Sequence, residues 1–448
     1  MDFRRYVKDN KIVEKAAYGC GDMATSFSYS FAAFFLAIFY TDVFGLPTGL
    51  VAILMFSYRI IDALNDEFIG LAIDRISYRR GRYKNNYLFM CVPFALCTVL
   101  MYYTPGFGIA GKFAFAFVTV ILWESSFTVI NITTSSLLPF LTKDRDERTS
   151  FNTFRVTFSV LAYLAVGGAG IPLAIALDNG SPQRGYFMAM ACFAAISVPL
   201  CLIAYRYIDE KGHGGCGFRD SSLKRIFALM LGNRRLMLLI GSYALYWAGA
   251  SVRNQMMAYF AIYSLGNPGL VSSMLFTGIA SSLIIQPLIP ALARRFGREC
   301  CMIAGYVSAG LSMLLAIGLK SEPGVIFANM LFGMLSAVPA NIIFTMVASF
   351  VDESLEDDNI NMSVVIYATT GFSAKLGMGI AGGLCPMALH FAHYVPNQAV
   401  QGPAAAFCIK ALFIGATCAL LLLAGIVMEG FRRRQRAYEQ TRAAARSG

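Results

Sequence analysis

The chain has 448 residues, of which 57% are hydrophobic and 14% are charged, and its formal net charge is +11. Soluble globular proteins carry about 25% charged residues, so this composition excludes an ordinary soluble domain and indicates a membrane protein. The basic residues are scattered between apolar segments, which argues against nucleic-acid binding and makes the positive excess a signal of membrane topology. Nearly all of the 11 cysteines lie in apolar stretches without a CxxC pair, so we predict neither disulfide bonds nor a zinc site.

Twelve stretches are long and apolar enough to cross a membrane as a helix, which takes about 20 residues. The N-terminus is charged and the first apolar run has the length of a full span, so no cleavable signal peptide is predicted. The predicted spans, numbered in chain order, are 18–43, 47–74, 85–105, 110–140, 150–178, 184–207, 235–265, 268–293, 299–319, 323–351, 361–393 and 404–429.

Basic and neutral loops alternate along the chain. The loops after spans 2, 4 and 8 contain DRISYRRGRYK, KDRDER and RRFGRE, and the tail contains RRRQR, whereas the opposite loops nearly lack Lys and Arg. Lys and Arg concentrate in cytoplasmic loops. We therefore predict a multi-pass protein of the cell (inner) membrane, with both termini and the basic loops in the cytoplasm. The acidic loop DESLEDDN (352–359) keeps its cytoplasmic assignment because acidic residues contribute little to this rule.

The two halves of the chain resemble each other. GLVAILMF (49–56) and GLVSSMLF (269–276) are 220 residues apart, and at the same offset Arg155 in span 5 corresponds to Lys375 in span 11. Two six-helix halves related by a parallel repeat are typical of major facilitator transporters. The predicted fold class is an all-α integral membrane protein with twelve transmembrane helices in two six-helix halves. Its predicted parts are an N-terminal half (1–207), a cytoplasmic connector (208–233), a C-terminal half (234–430) and a cytoplasmic basic tail (431–448).

Charged residues occur inside several predicted spans, although a charge at the bilayer centre costs roughly 2.5–3.5 kcal/mol on insertion scales. Arg59, Asp62 and Asp66 in span 2 are spaced i, i+3 and i+7 and therefore share one helix face. Such groups must face the bundle interior or a wet cavity, which predicts a binding site between the two halves. The other polar residues singled out in the spans are Asn65, Glu124, Thr128, Asn131, Arg155, Arg253 and Lys375.

Asp62 and Asp66 lie one helical turn apart, and the residues leave three interpretations of this pair open. The two carboxylates, with a hydroxyl or amide oxygen, can surround a small hard cation such as Na⁺. One of them can carry a proton instead. In the third interpretation, Arg59 only neutralises both aspartates and ties helices together.

Several motifs resemble those of one transporter family, in the same order along the chain. The segment RIIDALNDEFIGLAIDRISYRRGR (59–82) resembles the helix-2 signature of the melibiose-permease-like glycoside–pentoside–hexuronide:cation symporters, a family of the major facilitator superfamily. YGCGD and FYTDVFGL resemble its first helix, INITTSSLLPFLTKDRDERTSFNTFR (130–155) resembles its helix 4 to helix 5 passage, and YATTGFSAKLG (367–377) resembles its helix 11. The resemblance covers nearly the whole chain and implies a secondary active transporter, not an enzyme.

The resemblance implies symport of a sugar or glycoside with Na⁺, Li⁺ or H⁺ by alternating access, without a cofactor. It implies that Asp62, Asn65, Asp66 and Thr128 bind the cation, and that Arg155 and Lys375 border the sugar site. Two basic turns are expected to close the cytoplasmic face through charge pairs that break in each cycle. The residues of these turns are Asp74, Arg75, Arg79, Arg80, Arg82, Arg294, Arg295 and Arg298. The expected partners are a small solute, a monovalent cation and the lipid bilayer, with no nucleic acid, and the expected state is a monomer.

The substrate site departs from the galactoside-binding pattern of the family, because two places that hold aspartates there are Ser26 and Asn131 here. The motifs therefore do not identify the solute. The cavity is expected to hold four cationic side chains against three carboxylates. Once a cation neutralises the aspartate pair, this balance favours an anionic solute such as a uronide. The predicted substrate site comprises Ser26, Arg59, Trp123, Glu124, Asn131, Arg155, Arg253, Tyr367 and Lys375, with packing as the alternative role of the two aromatic residues.

Functions other than transport lack their own motifs. The sequence contains no glycine-rich phosphate loop, no G-x-S-x-G and no H-E-x-x-H, and no soluble segment is long enough for a nucleotide-binding domain. No filter loop of a channel is visible. His390 and His393 are three residues apart without a third ligand, so no metal site is predicted. Two alternatives within transporters stay open, a proton-coupled exporter of amphiphilic compounds and a lysolipid symporter of the same fold.

Overall fold

Helices occupy all twelve predicted spans in the computed structural model, which describes residues 11–80, 83–142, 145–210, 232–318, 321–358, 363–398 and 400–447. No strand occurs within these described ranges, and the all-α fold class is confirmed. The predicted connector, 208–233, lies outside the described residues except for 208–210 and 232–233.

The described chain divides into two compact units. The N-terminal unit contains six helices, and residues Val395–Gln398 also belong to it. Its helices are α1 (Lys11–Ile38), α2 (Thr48–Arg80), α3 (Asn85–Leu100), α4 (Ile109–Leu141), α5 (Arg145–Ala176) and α6 (Pro182–Tyr207). A π-helical turn, Phe39–Val43, continues α1.

The C-terminal unit contains the remaining described helices. These are α7 (Arg234–Tyr259), α8 (Gly269–Ile285), α9 (Ile289–Phe296), α10 (Arg298–Gly318), α11 (Glu322–Asp358), α12 (Ser363–Phe391), α13 (Pro403–Lys410) and α14 (Thr417–Ser447). A 3₁₀ turn joins α8 to α9 within predicted span 8, and a π-helical turn joins α13 to α14 within predicted span 12. The turn Phe260–Ser264 after α7 is π-helical, like the one that follows α1.

The same helix pairings occur inside each unit. The five most extensive pairings of the N-terminal unit are α1–α5, α1–α6, α2–α4, α3–α4 and α3–α6. Those of the C-terminal unit are α7–α12, α7–α14, α8–α11, α10–α11 and α10–α14. The spans correspond one to one, so the sequence repeat is accompanied by a repeated internal topology.

Residue chemistry explains several helix ends. Asn233 caps α7, because its Oδ1 accepts from the backbone N–H groups of Arg235 at 3.1 Å and Leu236 at 3.2 Å. These donors otherwise have no partner in the first turn of a helix. Pro182 begins α6, where the missing proline N–H removes no helical hydrogen bond. Gly297 separates α9 from α10 with a φ of +86°, which glycine adopts without steric cost.

Nine stretches of the described helices are long and apolar enough to cross a membrane. The helix α3 is apolar but has only 16 residues. The helix α1 is central in its unit: it packs against α5 and α6, and 83% of its most apolar window is buried. Most polar side chains within that stretch therefore lie inside the protein rather than against lipid.

The predicted tail is helical in its described part, because α14 continues to Ser447 without a break. Arg235 on α7 contacts this extension and fixes it against the C-terminal unit. Its Nη1 donates to Gln435 Oε1 at 2.9 Å, and its Cζ lies 3.5 Å from the centroid of the Tyr438 ring. The tail is thus a continuation of the last span.

Candidate functional site

Arg59 on α2 lies between two carboxylates in the N-terminal unit. Its Nη1 is 3.8 Å from Asp62 Oδ2 on the same helix and 3.7 Å from Glu124 Oε1 on α4. The three side chains are 10%, 0% and 4% exposed, so water screens their charges weakly. Both distances exceed a normal N–H···O hydrogen bond of about 2.9 Å, so the guanidinium is shared between the carboxylates. The rings of Tyr29 and Tyr58 lie near it, at 5.8 Å and 4.8 Å.

A second contact joins α2 to α4 about one helical turn after Asp62. Asn65 Nδ2 donates to Ser125 Oγ at 3.3 Å. Asn65 follows Asp62 by three residues, and the buried Thr128 follows Ser125 by three. Helix periodicity therefore puts these polar groups on the facing sides of the two helices. We name Arg59, Asp62, Asn65, Glu124 and Ser125 the Arg59 cluster.

Acidic side chains outnumber basic ones in the Arg59 cluster. With both carboxylates ionised, its described side chains carry one positive and two negative charges. A net negative charge buried among apolar helices is unfavourable unless a counter-charge or a proton neutralises it. One monovalent cation equals the difference between these two counts.

The YGCGD motif (18–22) lets two other helices approach α1 closely. A Cβ atom on Gly19 would lie 2.9 Å from Cγ of Phe158 on α5, and one on Gly21 would lie 2.6 Å from Oη of Tyr87 on α3. Side chains essentially never make such short contacts. The two glycines are therefore a packing requirement, and they bring the last residue of the motif next to α5.

That last residue, Asp22, forms an ion pair with Arg155 on α5. Arg155 Nε donates to Asp22 Oδ1 at 2.9 Å. The same guanidinium donates to two acceptors on α4, through Nη1 to Ser135 Oγ and through Nη2 to Asn131 Oδ1, each at 3.1 Å. Arg155 thus ties α1, α4 and α5 together through hydrogen bonds in a fixed planar fork.

Serines complete this arrangement. Ser159 Oγ donates to Oδ2 of Asp22, and Ser26 Oγ lies 2.7 Å from Ser159 Oγ. We name Asp22, Ser26, Asn131, Ser135, Arg155 and Ser159 the Arg155 cluster. The side chains of Arg155 and Asp22 are 21% and 15% exposed, so a solute can reach the cluster from the surface of the unit.

Four residues of the two clusters are absent from the site that the sequence predicts: Asp22, Ser125, Ser135 and Ser159. A signal existed for Asp22, which is a carboxylate inside the first apolar span, one helical turn before Ser26. Ser159 follows Arg155 by four residues, a spacing that places both on one helix face. Nothing in the local sequence distinguishes Ser125 from other serines in spans.

Trp123 on α4 packs against α1. It is fully buried, and its Nε1 donates to Ser28 Oγ at 3.2 Å. Its ring centroid lies 6.1 Å from that of Phe127. This placement favours the packing role over stacking on a sugar.

In the C-terminal unit, Arg253 on α7 is buried among amides and a ring. Its Nη2 donates to Asn329 Oδ1 on α11, and its Cζ lies 4.3 Å from the ring centroid of Phe332. Asn329 Nδ2 in turn donates to the backbone oxygen of Met274 on α8. Arg253 therefore belongs to a contact among three helices. Lys375 is half-buried on α12, the helix that packs beside α7.

The predicted gating residues are described only in the C-terminal unit. Arg298 Nη1 donates to Ser349 Oγ on α11 at 2.9 Å. Arg294 and Arg295 are exposed in the last turn of α9. The side chains of Asp66, Asp74, Arg75, Arg79, Arg80 and Tyr367 lie outside the described part of the structure, and Arg82 lies outside the described residues.

The profile of the MFS/sugar transport protein family matches residues 17–432. The chain belongs to this family. Its glycoside–pentoside–hexuronide members are the group that the helix-2 and helix-4 motifs resemble, so that prediction is confirmed.

Two relatives of the family are similar over most of their length. The chain is 29% identical over 407 residues to the candidate glycoside/cation symporter YagG of Escherichia coli (strain K12), which covers 89% of the chain and 87% of the relative. It is 28% identical over 396 residues to the isoprimeverose transporter of Lactiplantibacillus pentosus, covering 87% and 82% respectively. The chain is therefore a multi-pass membrane transporter and not an enzyme.

A solved structure agrees on the fold. The crystal structure of a D-xylose-proton symporter superposes with a TM-score of 0.70 at 13% sequence identity, covering 94% of this chain and 97% of that chain. At this identity the similarity concerns architecture alone. The family thus brings the major facilitator fold.

Proposed function

We propose that the protein is a cation-coupled symporter that carries a sugar or glycoside across the cell membrane by alternating access. The cation is Na⁺, Li⁺ or H⁺, and it binds at Asp62, Asn65, Asp66 and Thr128 between α2 and α4. We propose that the protein is a monomer and that both of its termini lie in the cytoplasm, as the distribution of Lys and Arg in the loops predicts.

One observation carries the cation site: a single guanidinium, Arg59, is shared by two carboxylates in a buried position. Two carboxylates beside one guanidinium make this position attractive to a monovalent cation. Amide and hydroxyl oxygens from Asn65 and Thr128 supply the hard ligands that small cations prefer. The names of the relatives, which include a glycoside/cation symporter and an isoprimeverose transporter, support the sugar class.

The Arg155 cluster supports a solute rich in hydroxyl groups. It offers a guanidinium, a carboxylate, an amide and three serine hydroxyls, which are donors and acceptors of the kind that sugar hydroxyls match. Cation binding and solute binding must strengthen each other by the same factor, because equilibrium coupling between two sites is reciprocal. The bridge between the clusters is α4, which contributes Glu124 and Ser125 to one and Asn131 and Ser135 to the other.

The cation site can be tested before the solute is identified. The purified protein is melted in detergent with Na⁺, Li⁺ or K⁺ at equal ionic strength, beside the Asp62→Asn variant. A ligand that binds only the folded state raises the melting temperature by mass action. We expect a saturable Na⁺ or Li⁺ shift in the wild type that disappears in Asp62→Asn.

Asp178→Asn is the matched control. Its Oδ1 accepts from the backbone N–H of Gly180 at 3.0 Å in the loop after α5, and an asparagine keeps that acceptor. This variant should retain the full ion shift. Uptake of labelled D-xylose and methyl glycosides into proteoliposomes, driven by a gradient of Na⁺, Li⁺ or H⁺, then identifies the coupling ion. Uptake driven only by a pH gradient assigns H⁺ as the coupling ion, and an ion-dependent response to lysolipid but not to sugars refutes the sugar assignment.

A further inference from the structure

Asp22 is the counter-ion of Arg155, and this changes the charge that a solute meets. From the sequence, Arg155 is one of four cationic side chains counted against three carboxylates, and this balance favours an anionic solute once a cation neutralises the aspartate pair. In the structure its Nε donates to Asp22 Oδ1 at 2.9 Å. A carboxylate of a uronate that approached Arg155 would meet the charge of Asp22 at the same place, so attraction and repulsion nearly cancel.

The Arg59 cluster offers no surplus of positive charge either. Arg59 is already shared by Asp62 and Glu124. Together the described side chains of the two clusters contain two guanidinium groups and three carboxylates. Within the N-terminal unit, one bound monovalent cation makes these five described side chains neutral, and an anionic solute would make them negative. A neutral polyhydroxyl solute adds no charge.

The hydrogen bonds of the Arg155 cluster also favour a neutral solute. The guanidinium presents Nε, Nη1 and Nη2 to protein acceptors on α1 and α4. Two of these acceptors, Ser135 and Asn131, are neutral and can exchange with a sugar hydroxyl at little cost. The third, Asp22, is charged and is additionally held by Ser159, so it stays in place. The Arg155 guanidinium thereby keeps one orientation while sugar hydroxyl groups replace its neutral acceptors.

We propose that Asp22 sets the charge of the transported solute: by neutralising Arg155 it makes the Arg155 cluster select neutral sugars or glycosides and reject hexuronates. This inference rests on the proposed function, since it names the solute class of the same transporter. Asp22 acts through Arg155 and is a positioning and selectivity residue.

The test measures the ratio of affinities for matched pairs of probes, D-glucose with D-glucuronate and D-galactose with D-galacturonate. Affinity is read from the concentration of each probe that gives half of the maximal rise in melting temperature, at saturating Na⁺. The wild type should bind the neutral member at least about tenfold more tightly. Asp22→Asn keeps the size of the side chain and an acceptor for Arg155 Nε but removes the charge, so the ratio should move at least about tenfold toward the uronate.

Two further variants separate charge from structure. Asp178→Asn removes a carboxylate charge outside the two clusters, so the ratio should stay within about twofold of the wild type. The double variant Asp22→Asn/Arg155→Gln removes both charges and should return to a preference for the neutral sugar. Asp22→Ser is a second neutral replacement if Asp22→Asn does not yield folded protein. A purely structural role of Asp22 would lower all affinities together and leave the ratio unchanged.

The outcomes are distinct. A wild type that prefers the uronate, or an Asp22 variant with an unchanged ratio, overturns the inference while the proposed function stands. If no sugar of either kind stabilises the protein although the Na⁺ or Li⁺ shift persists, the sugar assignment fails and the inference fails with it.

Discussion

Arg59 and Glu124 form an ion pair across α2 and α4, with Nη1 of the arginine 3.7 Å from Oε1 of the glutamate. The distance from the same nitrogen to Asp62 Oδ2 is almost equal, 3.8 Å. Because the guanidinium favours neither carboxylate, the charge that remains for a cation is spread between the two helices. The proposed cation would therefore interact with α2 and α4 together.

Glu124→Gln should weaken cation binding even though the sequence places this residue in the solute site. The substitution leaves Arg59 balanced by Asp62 alone, so the described charge of the Arg59 cluster becomes zero. A unit charge about 4 Å away is worth about 4 kcal/mol at an effective dielectric constant of about 20. We expect the half-saturating Na⁺ or Li⁺ concentration in melting experiments to rise at least about tenfold. An unchanged value would remove Glu124 from the cation site, and Asp178→Asn serves as the control that should not change.

Gly21→Ala should destabilise the N-terminal unit by overpacking. The added methyl group would lie 2.6 Å from Tyr87 Oη, which is buried and 2.7 Å from Thr134 Oγ1. Overpacking of this kind costs roughly 1–3 kcal/mol, and the melting temperature should fall. Tyr87→Phe in the Gly21→Ala background removes the hydroxyl and should recover part of the loss. Equal melting of Gly21→Ala and wild type would show that α3 does not need to approach α1 so closely.

Asn329→Ala should destabilise the C-terminal unit. The asparagine accepts from the buried Arg253 and donates to the backbone oxygen of Met274. Removing one partner of a buried charged group costs about 3 kcal/mol. The double variant Arg253→Met/Asn329→Leu replaces both partners by apolar groups and should melt higher than Asn329→Ala. Sugar uptake by this double variant then reports whether Arg253 also contacts the solute, as the sequence predicts.

Glu147 should make a small contribution to stability that depends on pH. It precedes the apolar stretch that begins at Ser150. Hydrogen bonds from Lys11 Nζ and from Thr142 Oγ1 lower the pKa of its carboxyl below the ordinary value of 4.5. A lowered folded-state pKa stabilises the protein above the unfolded-state pKa, and this stabilisation is lost as the pH falls through the folded-state value. The difference in melting temperature between wild type and Glu147→Gln should therefore be present at pH 7, shrink as the pH falls below 4.5, and vanish once the pH is below the folded-state pKa. A difference that persists at the lower pH would assign it to packing instead.

The fold was more accessible from the sequence than the pairing of its charges. Runs of apolar residues locate helices such as α4 and α6 to within a few positions, because the bilayer imposes a minimum length and apolar composition. The partner of Arg155 was not accessible in this way. Asp22 lies 133 residues earlier in the chain, and which helix faces meet depends on the glycines that let α1 and α5 approach.

Trp123 illustrates the same limit for an apolar residue. Its position in span 4 fits both a sugar platform and a packing role. Only the three-dimensional contact of its indole with Ser28 favours packing. Periodicity identifies the face of a helix that avoids lipid, but it does not tell which neighbouring helix covers that face.

The repeated pairing within each unit has a consequence for how the protein is made. The five most extensive pairings of the N-terminal unit involve helices that end by Tyr207. Synthesis proceeds at about 5–20 residues per second, so the ribosome needs roughly 10–50 s more to complete the chain. During that interval the unit has every helix it requires to fold beside the translocon. Asp22 and Arg155 can then enter the bilayer as a matched pair, before the C-terminal unit exists.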